Sequence, residues 1–99
     1  MNVQVNVFDV NNSDELKAHV SKRIDKLKSV YDEILSADVI IKKNRAVDPS
    51  PKTVEMKIHV GGQDLFASKE SDIAEEAIDL TFEALNRQLI KYKEMKNNK

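Results

Sequence analysis

The stretch "TVEMKIHVGGQDLFAS", residues 53–68, limits the fold more than any other part of the chain. Val54, Met56, Ile58 and Val60 alternate with Glu55, Lys57 and His59. Period-two alternation gives a strand with one buried face. Gly61-Gly62 follows at once. Paired glycines tolerate the positive φ of a two-residue hairpin turn, so "QDLFAS" reads as the returning strand. An antiparallel hairpin with one apolar face needs a layer packed against that face.

Two long helical stretches can supply the layer. In residues 14–34, Leu16, Val20, Ile24, Leu27, Tyr31 and Ile34 recur every three or four residues. That is one apolar stripe at helical period. "NNSDEL" precedes it, with Asn12 or Ser13 as cap and Asp14 and Glu15 in the first turn, where the helix dipole favours acids. From Asp72 to Met95, Ala74, Ile78, Thr81, Leu85, Leu89 and Tyr92 form a second stripe, with Ser68 or Ser71 as cap. Val3, Val5 and Val7 alternate with Gln4, Asn6 and Phe8, and "ADVIIKKN" (37–44) is β-branched, so both read as strands. "RAVDPSPK" between the second and third strands is a loop, because Pro49 and Pro51 lack backbone donors. The predicted order is β-α-β-β-β-α: an α+β domain over residues 1–95, with a flexible basic tail at 96–99.

Ninety-nine residues suit one domain, and the 40% hydrophobic content is enough for a core. With no cysteine there is no disulfide framework, thiol nucleophile or cysteine zinc site, which fits a cytoplasmic protein. The start "MNVQVNVFDV" lacks the pattern of a signal peptide, and no apolar run is long enough to span a membrane.

The formal net charge is only −1, but the charge is sorted. Residues 70–83 hold Glu70, Asp72, Glu75, Glu76, Asp79 and Glu83 and no base. Residues 84–99 hold Arg87, Lys91, Lys93, Lys96 and Lys99 against Glu94. Helix-dipole complementarity accounts for that much. It does not account for residues 17–28, where Lys17, Lys22, Arg23, Lys26 and Lys28 face only Asp25 in mid-helix. Lys42, Lys43 and Arg45 make a third basic group. Separate basic clusters in a chain of near-zero charge predict a local field for a polyanion. Arg87 and Lys91, one turn apart, can reach successive phosphates.

Three segments, "HVSKRIDKLKSVYDEI", "HVGGQDLFAS" and "AIDLTFEALNRQLIKYK", resemble the ribosome hibernation-promoting factor family, also called ribosome-associated inhibitor or protein Y. Their order and spacing match over almost the whole chain, and the terminal "RQLxKxK" is the most specific piece. The resemblance implies two helices on one face of a four-stranded sheet, as in double-stranded-RNA-binding domains. It also implies binding to rRNA of the small ribosomal subunit near the decoding site. There the family blocks the mRNA and tRNA sites and silences ribosomes in stress or stationary phase. Arg23 and Lys26 match the first-helix motif, and Arg87, Lys91 and Lys93 the second. Charge placement adds Lys22, Lys42 and Lys43 as RNA-binding candidates. "DIAEEAID" departs from the family's tyrosine-containing opening of the second helix. The chain reads as a short form, without a dimerisation domain. No metal, cofactor, small-molecule substrate or membrane is expected.

Two rival readings use other residues. Glu75 and Glu76, each near Asp79, are paired carboxylates of the kind acid–base chemistry uses, but on a helix N-terminus they read as solvated charges. His19 and His59 have no signature spacing and no phosphate loop exists, so no enzyme is expected. Phe8, Ile40 and Phe66 fall on the non-core sheet face and could form a protein-docking patch, which defines an adaptor as the alternative.

Overall fold

The computed structural model describes residues 2–97. Its elements are β1 (Asn2–Phe8), α1 (Ser13–Val30), β2 (Ser36–Lys43), β3 (Lys52–Val60), β4 (Gln63–Ser71) and α2 (Ala74–Asn97). The four strands form one sheet in the order β1-β2-β3-β4. β1 and β2 are parallel, and the other neighbours are antiparallel. A parallel pair needs a crossover, and α1 is that crossover. This is the expected β-α-β-β-β-α, α+β architecture.

Both helices cover the same sheet face. Val39 and Ile41 of β2, Val54, Met56 and Ile58 of β3, and Ile78, Leu85 and Leu89 of α2 are almost fully buried there. Leu16, Val20, Ile24 and Leu27 bring in the stripe of α1. At the hairpin, Gly62 has φ +92°, the conformation that the double glycine permits. The Tyr92 hydroxyl donates to the Gly61 carbonyl at 2.6 Å and ties the hairpin tip to α2.

Several boundaries differ from the sequence reading. α1 stops at Val30, not residue 34. Tyr31 is extended, though its N–H still donates to the Leu27 carbonyl at 3.0 Å. Tyr31 and Ile34 are buried from the connection that follows, so they continue the apolar stripe without continuing the helix. Asn12 caps α1 in the left-handed region with φ 63°, and its side chain makes no capping bond. Asn is one of the few residues that take this conformation readily. Ser68 lies inside β4, whereas the Ser71 hydroxyl accepts the Ile73 N–H at 3.3 Å just ahead of α2. α2 begins at Ala74 and runs to Asn97, taking in Lys96 and Asn97 of the expected tail. Residues 98–99 of that tail lie outside the described residues.

Candidate nucleic-acid interface

The helices run in the same direction. His19 and Arg23 of α1 meet Asp79 of α2, and further along Lys93 Nζ donates to the Val30 carbonyl at 3.2 Å. Lys96 reaches past the end of α1 to the Tyr31 hydroxyl and Glu33, each at 3.2 Å. The C-terminal part of α1 therefore lies beside α2, so Lys26 and Lys28 come toward the same end as Arg87, Lys91 and Lys93, while Lys22 and Arg23 lie further back, level with Asp79. Asp14, Glu15, Glu75 and Glu76, in the first turns, mark the opposite, acidic end.

The basic side chains are not equivalent. Lys22, Lys26, Arg87 and Lys91 are exposed. Arg23 is half-buried in the groove between the helices, where its Nε donates to Asp79 Oδ1 at 2.8 Å. At 100° per residue, Arg87 and Lys91 lie about 80° and 120° around α2 from Asp79, so they face outward and away from the groove. The result is a basic end with several faces, in which Arg23 and Arg87 share the helix layer but not one flat patch. Lys93 serves the C-terminus of α1, where a cation complements unpaired carbonyls.

Lys96 completes an anchor that charge counting alone does not foresee. Its ammonium lies 5.9 Å from the centre of the Tyr31 ring. Hydrogen bonds to the Tyr31 hydroxyl and then Glu33 raise its pKa. Glu33 is held below its ordinary value by the Tyr31 hydroxyl and Lys96. Tyr31 and Tyr92 meet edge to face at 5.7 Å, and both serve packing.

Lys42 and Lys43 do not join this end. Ile41 points into the core, so alternation turns Lys42 to the open sheet face, where its ammonium lies 3.2 Å from Glu55. Lys42 also pairs in register with Phe8 at the end of β1, where the chain turns into the start of α1. Lys43 accordingly lines a cavity with Asn12 and Leu16 beside the helix N-termini. Arg45 is 2.8 Å from Asp9 and lowers that carboxyl's pKa. The third basic group thus lies at the acidic end, with Lys42 and Arg45 paired to acids.

The open sheet face is mostly polar. His59 Nδ1 is 2.6 Å from Asp64 and its Nε2 is 3.3 Å from Asp38. Hydrogen bonds to Asp64 first and Asp38 second raise the His59 pKa. Phe8 and Phe66 are 54% and 52% exposed, but they do not form the continuous patch that an adaptor would use. Glu55 pairs across from Ile40 and Lys57 across from Phe66, so charged side chains separate the two apolar sites.

Sequence reading named Asp79 but missed its partners. Asp79 accepts from Arg23 and lies 2.7 Å from His19 Nε2. Burial pushes its pKa up, but the hydrogen bonds from Arg23 and then His19 outweigh burial and hold it low. The partners are 56 and 60 residues away, so no local spacing signals them. Glu75 and Glu76, its supposed partners, are exposed.

Fold and site together define a small α+β domain whose two parallel helices present a cationic end. The chain belongs to the family described as Sigma 54 modulation protein / S30EA ribosomal protein, which matches residues 3–97. It is 33% identical over 94 residues to a protein of Azotobacter vinelandii named ribosome hibernation promoting factor, covering 95% of this chain and 84% of that one. Among solved structures, it resembles a ribosomal subunit interface protein from Coxiella burnetii. That match has a TM-score of 0.81 and 27% identity, and covers 94% of this chain and 98% of the other. The Protein Y N-terminal domain of Thermus thermophilus has the same fold, with a TM-score of 0.78 at 19% identity, covering 93% and 99%.

Proposed function

We propose that this protein is a ribosome hibernation factor. It binds the small ribosomal subunit near the decoding site through rRNA phosphates and occupies the space that mRNA and tRNA need. Family membership and the names of its relatives support association with ribosomes. The observation that carries the RNA contact is the convergence of the basic halves of α1 and α2 at one end of the helix layer. Lys22, Lys26, Arg87 and Lys91 supply exposed cations, Arg23 a partly buried one, and Lys93 a cation shared with the Val30 carbonyl. Lys42 and Lys43 lie apart from that end and contribute little.

Inhibition is steric, with no bond made or broken. Phosphate contacts give affinity without reading base sequence, and the shape of folded RNA gives specificity. Each contact is weak, so the block is reversible. A sucrose-gradient profile of ribosomes from stressed cells tests this reading. The protein travels with the small subunit and with whole ribosomes, and Lys26→Glu with Arg87→Glu sends it to the top of the gradient while its melting curve stays intact. A folded double variant that still co-sediments would overturn the assignment.

A further inference from the structure

We propose that the groove between the helices seats one phosphate of the RNA backbone on the outer edge of the Arg23 guanidinium, and that Asp79 is the residue that aims that edge. The inference rests on the RNA-binding reading above and adds to it a particular seat and a positioning residue.

The groove has a volume of about 320 Å3. Leu27, Val30 and Phe82 form apolar lining, while Arg23, Lys26 and Asn86 bring donors to it. Arg23 engages Asp79 through Nε alone, and among the described residues its two terminal nitrogens make no hydrogen bond. A guanidinium held by Nε keeps its terminal edge for bidentate contact with a phosphate, whose oxygens match the fork. The carboxylate is fixed in turn, because its Oδ1 also meets His19 Nε2 at 2.7 Å. His19, Asp79 and Arg23 therefore form a chain that holds the fork in one orientation before any ligand arrives. Lys26 adds a second cation on the same helix, and the Asn86 amide a neutral donor from the other.

The charges in this groove decide how the idea is tested. Arg23 and Lys26 are balanced by Asp79 and Glu83. The local field is therefore near neutral, and anion binding has to come from aligned donors. If field alone mattered, neutralising either acid would strengthen RNA binding. If Asp79 aims Arg23, the two acids act in opposite directions. Glu83→Gln removes a nearby repulsion and tightens binding about two- to threefold. Asp79→Asn releases the fork and weakens binding about tenfold, the size of one charge-assisted hydrogen bond.

The experiment is pelleting of the full chain with purified small ribosomal subunits over a salt series, for wild type, Asp79→Asn, Glu83→Gln, Arg23→Lys, Arg23→Gln and the Arg23→Gln/Asp79→Asn double variant. Thermal unfolding is followed alongside. The expected result is weaker binding by Asp79→Asn, with the slope of log K against log salt shallower by about one. Arg23→Lys, which keeps the charge but loses the fork, weakens binding comparably. In the Arg23→Gln background Asp79→Asn no longer weakens binding and, like Glu83→Gln, tightens it about two- to threefold, since its only remaining effect is the lost repulsion. Asp79→Asn binding as tightly as wild type, or Arg23→Lys binding like wild type, overturns the phosphate seat and leaves the RNA reading standing. Failure of the wild type to bind overturns both.

Discussion

Removing Arg87 and Lys91 together, as Arg87→Gln with Lys91→Gln, is the sharpest test of where RNA affinity resides. Both side chains are exposed on the outer side of α2, away from the core residues Leu85 and Leu89, so the fold has little reason to respond. Five phosphate contacts from the convergent end give a slope of log K against log salt of about −4.5, taking about 0.9 per contact. Between 50 and 200 mM salt the wild type then loses about 500-fold in affinity. The double variant keeps three contacts, its slope falls to about −2.7, and its loss over the same range shrinks to about 40-fold. The control is Lys42→Gln with Lys43→Gln, which removes the same formal charge. Lys42 is on the open sheet face beside Glu55, and Lys43 is at the acidic end. That control keeps the wild-type slope. Filter binding or pelleting with small subunits at four salt concentrations measures all three proteins. The placement of the interface fails if the Lys42/Lys43 pair flattens the slope and the Arg87/Lys91 pair does not.

Three further outcomes follow from the packing and the pKa shifts. His59 has a raised folded-state pKa, so its stabilising contribution is fully present below the ordinary value of 6.5 and is lost as pH rises through the folded-state value. Thermal melts should show wild type losing its advantage over His59→Gln as pH rises from 6.5 through that value, and an advantage that grew with pH would contradict the Asp64–His59–Asp38 geometry. Leu85 is fully buried, so Leu85→Ala costs about 2–5 kcal/mol and lowers Tm by about 10–25 °C in a scanning melt. In a denaturant titration, Gly62→Ala, which forces a side chain into φ +92°, destabilises by about 1–2 kcal/mol, whereas Gly61→Ala, in open space, stays close to neutral.

Much of the fold was legible because its determinants are local. Alternation in β3, the glycine pair and two helical stripes each specify an element, and the elements have one economical way to bury their apolar faces. The end of α1 was less legible. Tyr31 and Ile34 keep the spacing of the stripe, and burial alone does not separate a last helical turn from an extended chain lying over the same core. No glycine marks the stop. The basic end was partly legible, since helical period places Lys22, Arg23 and Lys26 on one flank of α1. The outward direction of Lys42 was legible too, because the alternation that buries Val39 and Ile41 also turns Lys42 to the open sheet face. The pairing of Asp79 with His19 and Arg23 was not legible, as it depends on how two helices pack side by side. Lys93 and Lys96 likewise looked like members of a charge run, yet they close the end of α1 and the Tyr31–Glu33 corner.

The common direction of the helices gives the molecule an electrical polarity. The described residues extend 48 Å in their longest dimension against 23 and 18 Å in the others. The helix layer carries acids at one pole and lysines and arginines at the other. In the field of a polyanion, such a body experiences a torque as well as a pull, so it turns cation-first while still some distance away. A chain with almost no net charge can thus arrive correctly oriented, gaining in productive encounters without the indiscriminate stickiness of a strongly basic protein.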